Sequence, residues 1–159
     1  MQYVLRVLYL GVAAVVAAAA VIALVFGVGS LPEVSDISMR KGTNSAGIFF
    51  DLHNRGFLPD CVVDVEVLGE AHMGEQALRA ELHRTVMEDN VMRMVKVDKV
   101  CVPPFSTVKL RGAEGEGYHI MVFGEVEHFD SFHVHLKMES GKVIHFDVQP
   151  LGTGYQHSH

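Results

Sequence analysis

Glu81-Leu82-His83-Arg84-Thr85-Val86-Met87-Glu88-Asp89-Asn90-Val91-Met92-Arg93-Met94 is the stretch on which the reading of this chain turns. Two β-rich runs flank Asp89-Asn90, and a pair of residues that tolerates positive φ between such runs signals a two-residue hairpin. With Asp89 and Asn90 as the turn, Glu88 faces Val91, Met87 faces Met92, Thr85 faces Met94 and His83 faces Lys96. Side chains two apart on a strand point the same way, so His83, Thr85, Met87, Met92 and Met94 share one face. His83 and Met94 become diagonal neighbours, roughly 7–8 Å apart between backbones, which long side chains can close.

A second stretch, Tyr118-His119-Ile120-Met121-Val122-Phe123, repeats the pattern. His119 and Met121 project together from a strand whose Ile120 and Val122 take the opposite face. Alone, a methionine there is more often gap filler and a histidine more often a hydrogen-bonded core residue. Brought against the hairpin face, the two stretches offer two imidazoles and two thioethers. That set suits Cu(I) and suits Mg²⁺ or Ca²⁺ poorly, since these prefer oxygen. Met87 and Met92 share the face but read as a hydrophobic lid before they read as ligands.

With these residues the chain resembles the extracytoplasmic copper(I) chaperones called PCu(A)C. The family pattern is a His, ten residues, a Met, about twenty-one residues, then His-x-Met. Here His83 and Met94 have the first spacing, and His119-Ile120-Met121 closes the pattern after a gap of twenty-four. The three extra residues are assigned to the glycine-rich run Arg111-Gly112-Ala113-Glu114-Gly115-Glu116-Gly117. Val102-Pro103-Pro104 ahead of Thr107-Val108-Lys109-Leu110, and Gly117-Tyr118 before the histidine, also look like the family, and the resemblance spans roughly Glu33 to Val148. It implies a cupredoxin-like fold, one Cu(I) held by His83, Met94, His119 and Met121, and no catalysis. The implied acceptor is the CuA site of cytochrome c oxidase, directly or through thioredoxin-like assembly proteins.

The rest of the chain divides around this domain. Val7 to Val28 is 22 residues without a charge, long enough to cross a bilayer as a helix and longer than the 7–15 residues usual in the core of a signal peptide. Residues 1–30 are therefore expected to be an uncleaved transmembrane anchor. Arg6 on the N-terminal side places the following domain on the periplasmic or cell-surface side; cleavage after Val28-Gly29-Ser30 would make it secreted. Residues 31–150 suffice for one core, and short strands with regular turns predict an all-β Greek-key sandwich or barrel. Gly74-Glu75-Gln76-Ala77-Leu78-Arg79-Ala80 is expected as one or two helical turns. The net charge of -6, without a basic block, argues against nucleic acid.

Cys61 and Cys101 are the two cysteines. A disulfide, two buried thiols, or a redox or Cu(I) pair all remain open, although forty residues between them exclude Cys-x-x-Cys chemistry. An electron-transfer cupredoxin, the alternative function, needs a cysteine with two histidines and a weak axial methionine. A structural β-sandwich that binds nothing is the third reading. His72-Met73 lies in a loop, His133 and His135 alternate as a metal pair or an exposed polar face would, and His53 and His145 have no sequence partner. No Gly-x-Ser-x-Gly or phosphate-cradling loop occurs.

The tail at 151–159 ends in His157-Ser158-His159 and has little apolar surface to bury. Short His tracts bind metal readily, so it is expected to take Cu(II) weakly and independently of the Cu(I) site. Deleting Gln156 to His159 should remove a weak Cu(II) isotherm and leave Cu(I) uptake intact; loss of neither would mean an inert tail.

Overall fold

The computed structural model describes residues 2–26 and 31–150, with side chains in the first segment described for Gln2 and residues 6–22. An N-terminal helix, α1 (Gln2–Phe26), precedes ten strands. In chain order these are β1 (Glu33–Lys41), β2 (Ser45–Asn54), β3 (Asp60–Ala71), β4 (Gly74–Glu88) and β5 (Val91–Lys96). They continue with β6 (Val100–Val102), β7 (Ser106–Leu110), β8 (Tyr118–Phe123), β9 (Ser131–Met138) and β10 (Val143–Val148).

Every pairing is antiparallel, in the order β1-β2-β8-β4-β3-β9-β10, with β5 beside β4, β6 beside β3 and β7 beside β2. The terminal strands β1 and β10 lie in contact, so the sheet curls back on itself. This is the all-β Greek-key architecture anticipated from the strand spacing, since β2–β8, β8–β4 and β3–β9 are neighbours far apart in sequence.

Alternation decides the inside. Ala46, Ile48, Phe50 and Leu52 of β2, Ile120 and Val122 of β8, and Phe132, Val134, Leu136 and Met138 of β9 are buried in one core. Each full-size side chain so buried contributes about 1.5–3 kcal/mol relative to exposure. His119 and Met121, being out of phase with Ile120 and Val122, are thereby forced onto the outer face.

Two expectations change. Gly74–Ala80 is not helical but begins β4, where Gln76 pairs with Gly69 and Leu78 with Val67. Leu78 and Ala80 pack on the core, and that ladder outweighs the helix preference of Glu, Gln, Ala and Arg. The second concerns the anchor: α1 is a helix, but among the described residues no helix is long and apolar enough to cross a membrane. The end of the expected span, residues 27–30, and the tail at 151–159 lie outside the described residues.

Cys61 and Cys101 face each other across β3 and β6 and form a disulfide closing a separation of 40 residues. Among the described residues there is no free cysteine. Replacing both with serine should cost ~4 kcal/mol in the chain-entropy account, read as a lower urea midpoint; an unchanged midpoint would show that the bridge does not constrain the unfolded chain.

Candidate functional site

The hairpin forms at Asp89 and Asn90, with φ of 49° and 61°, the double positive φ of a type I′ turn. Its register is the one read from the sequence: Glu88 opposite Val91, Met87 opposite Met92, Thr85 opposite Met94, His83 opposite Lys96. On the other side of β4, His83 stands directly opposite His119 and Glu81 opposite Met121. All four sequence-predicted ligands are therefore on the outer face. The two histidines form a cross-strand pair, Met121 lies one step along β8, and Met94 lies diagonally from His83.

The imidazole rings are 6.1 Å apart between centroids. His119 is 2% exposed and the His83 side chain 13%. A nitrogen on each ring, His83 Nδ1 and His119 Nε2, is buried without a hydrogen-bond partner. The opposite nitrogen of each ring is occupied. His119 Nδ1 donates to the Gly117 carbonyl at 3.2 Å, and His83 Nε2 donates to Glu81 Oε2 at 3.1 Å. Because both partners can only accept, each ring carries a proton on that side, and in its neutral form keeps a bare lone pair on the other. Outer partners of this kind orient imidazoles that bind metals and fix their tautomer.

Charge follows the same logic. The hydrogen bond from His83, with Lys96 and Arg79 adding to it, holds the Glu81 carboxyl down to about 2. Burial pushes the His119 imidazole below its ordinary 6.5, with the neighbouring His83 adding to the effect and the Gly117 carbonyl opposing it.

Aromatic rings wall the pair. Phe49 stacks on His119 at 5.9 Å and Phe123 lies 5.9 Å from His83, with the Arg79 guanidinium over Phe123 at 4.8 Å. Glycines make this arrangement fit. A Cβ on Gly47 would stand 2.9 Å from the Phe49 ring, and one on Gly117, whose φ is +89°, would stand 2.7 Å from the Thr85 carbonyl. Thr85 N–H donates to Gly117 O at 2.8 Å, so one carbonyl locks the loop to β4 and fixes the His119 ring. The glycine-rich loop is pinned further by Arg111, whose Nε and Nη2 reach both Asp51 oxygens at 2.6 Å while Nη2 also reaches Asp36 at 2.8 Å.

On the hairpin side the face is open: Met87, Met92 and Met94 are 67%, 61% and 60% exposed. Among the described residues no group of three His, Cys, Asp or Glu side chains could hold a metal. Thioethers of Met94 and Met121 lie on the same face as the imidazole pair, and the one neighbouring carboxylate named there, that of Glu81, is taken up by His83, Lys96 and Arg79. Two imidazoles sharing one ion have centroids roughly 5–6 Å apart, given metal–nitrogen bonds of about 2 Å, and the observed spacing is of that size.

Glu81, Phe49, Phe123 and Gly117 were not singled out from sequence. Glu81 and Phe123 were reachable, lying two residues from His83 and Met121 on strands of known alternation, whereas Phe49 depends on the β2–β8 pairing.

Four other histidines are engaged elsewhere. His133 Nδ1 donates to Asp147 at 2.6 Å, with Glu70 and Glu75 within 3.6 Å, and this bond first among the causes pushes its imidazole up from 6.5. His135 packs edge-on against His145 at 4.4 Å. His53 is bonded to Ser35 and Thr107, each at 2.7 Å. With both cysteines in a disulfide, the electron-transfer alternative lacks the thiolate it needs.

The chain matches the family model described as "Putative lipoprotein LpqE-like" over residues 32–149. No protein of curated function gives a match. Among solved structures it is similar to "Apo PCuAC domain from PmoF1", at 19% identity and a TM-score of 0.53 over 76% of this chain and 93% of that one. It is also similar to "Copper-bound PCuAC domain from PmoF2", at 17% identity and a TM-score of 0.54 over 79% and 96%. The "apo PmoF2 PCuAC domain" follows at 16% and 0.54 over 84% and 98%. At these identities the likeness establishes the fold, which is the one the sequence resemblance implied.

Nitrogen NMR at neutral pH should find His119 protonated at Nδ1 and His83 at Nε2; the reverse tautomers would remove the two free lone pairs. His119 should also titrate below 6.5. Since the fold prefers the neutral ring, its contribution to stability is complete above 6.5 and is lost as pH falls from there through the folded value.

Proposed function

This chain belongs to the LpqE-like family, and on that footing we propose that it is an extracytoplasmic copper chaperone, binding one Cu(I) through His83, Met94, His119 and Met121 and passing it to an acceptor protein. One observation carries the reading: two buried imidazoles facing each other across β4 and β8, each with one nitrogen tied down and the other bare, on a face that also carries Met94 and Met121. That a PCuAC domain of the same fold was solved with copper supports it.

The division of exposure suits delivery. The histidine side is rigid and enclosed, while Met94 stands in solvent, so an incoming acceptor can displace the thioether first and take the ion stepwise. Neutral soft ligands hold Cu(I) without burying an anion, and a depressed His119 keeps its lone pair free of protons in mildly acidic surroundings. The acceptor we favour is the CuA site of cytochrome c oxidase, reached directly or through thioredoxin-like assembly proteins.

Attachment to the membrane is proposed through α1 itself. Residues 7–28 carry no charge. Arg6 at its N-terminal side favours an outward-facing domain, as does the disulfide, which forms and persists in oxidising compartments.

Anaerobic titration of the reduced-copper complex against a chromophoric Cu(I) chelator should give one equivalent per chain. Met94→Leu with Met121→Leu should weaken binding at least tenfold, about 1.4 kcal/mol, and X-ray absorption of the loaded protein should show nitrogen and sulfur neighbours together. Unchanged affinity in the double variant would remove the thioethers from the site.

A further inference from the structure

At the end of the domain where the chain enters β1, large apolar side chains stand in solvent. Phe57 and Leu58 in the β2–β3 connection are 47% and 64% exposed, Phe105 between β6 and β7 is 63%, and Leu31 is 45%. The Phe57 and Phe105 rings meet edge to face at 4.7 Å. Strand register gathers them, since Glu33 pairs with His53 and Ser106 with Asn54. Arg55, in the same connection, reaches Glu33 at 2.8 Å.

The patch is built, not loose. Asn54, 3% exposed, donates to the carbonyls of Leu58 at 2.8 Å and Val102 at 3.1 Å, and accepts from the Gly56 N–H at 2.8 Å. The Ser106 hydroxyl donates to the Pro103 carbonyl at 2.7 Å. Phe105 itself is held at a φ of 51°, a left-handed conformation that disfavours an aromatic residue. Strain and rigid loops that show aromatics to water do nothing for the isolated domain, and contiguous exposed apolar surface marks an interaction site.

The tether identifies the occupant. Between Phe26, where α1 ends, and Glu33 the chain takes seven steps, no more than roughly 25 Å fully extended. With α1 in a bilayer, this end of the domain stays within roughly 25 Å of it. Aromatic and aliphatic side chains beside an arginine are the chemistry of the headgroup boundary. We propose that Leu31, Phe57, Leu58 and Phe105 form a membrane-facing surface that seats the domain on lipid; this rests on the reading of α1 as an anchor. Following the register Ile48–Ile120–Leu82 along the strands puts the β4–β5 turn at this same end, so the hairpin methionines would stand beside the bilayer, within reach of a membrane-bound acceptor.

The sequence has no tryptophan, so Phe57→Trp or Phe105→Trp in the full chain gives a single reporter. Met73→Trp, at a side chain 99% exposed in the β3–β4 turn at the opposite end, is the control. In phosphatidylcholine–phosphatidylglycerol vesicles brominated near the headgroup, the first two should emit to the blue and lose at least half their intensity relative to unbrominated vesicles, while the control keeps both. Flotation separates the failures. A chain that does not float with vesicles overturns the anchor and this surface with it. One that floats but quenches no more than Met73→Trp overturns the surface alone. A blue shift that follows protein-to-lipid ratio and ignores bromine points to a second copy and also overturns it.

Discussion

The pairing of β4 with β8 that sets His83 opposite His119 is the constraint on which the site depends. Neither histidine has a reason to be near the other from local structure alone. β4 makes the meeting possible by its length: 15 residues serve β3 at one end, β8 in the middle and β5 at the other. A slip of β4 by one residue in this ladder would turn His83 into the core and Leu82 out to water, leaving His119 without its partner. The buried pair of Ile120 and Leu82 on the inner face therefore guards the register of the histidines on the outer one.

Such a site works against the stability of the apo fold. A buried polar atom without a partner costs about 1–3 kcal/mol, and two neighbouring imidazoles each carry one such nitrogen. Their rings cannot turn away to relieve this, because Glu81 and Gly117 hold the other nitrogens while Phe49 and Phe123 close the flanks. A soft cation supplies what is missing. The geometry is preorganised, so little is lost in ordering the histidines on binding, while the exposed hairpin methionines remain free to adjust.

Glycine placement shows how closely backbone and site are coupled. Gly117 combines a positive φ with contact against the Thr85 carbonyl, and its own carbonyl both accepts the Thr85 N–H and orients His119. The Arg111 pair with buried Asp51 holds the far side of the same loop, and this partner together with Asp36 raises the guanidinium pKa further.

Sequence by itself determined the hairpin register, the face shared by His83 and Met94, the face shared by His119 and Met121, and the all-β class, because a period of two and a turn tolerant of positive φ are local properties of the chain. It also suggested helix at Gly74–Ala80, where local propensity lost to the ladder with β3. Only the tertiary structure decided that Cys61 meets Cys101, that Glu81 and Gly117 fix the tautomers, that Phe49 covers His119, and that Phe57 and Phe105 share a patch. Those are contacts between strands distant in sequence, and their formation depends on which strand lies beside which, a choice made by burial of the whole core and not by any single stretch.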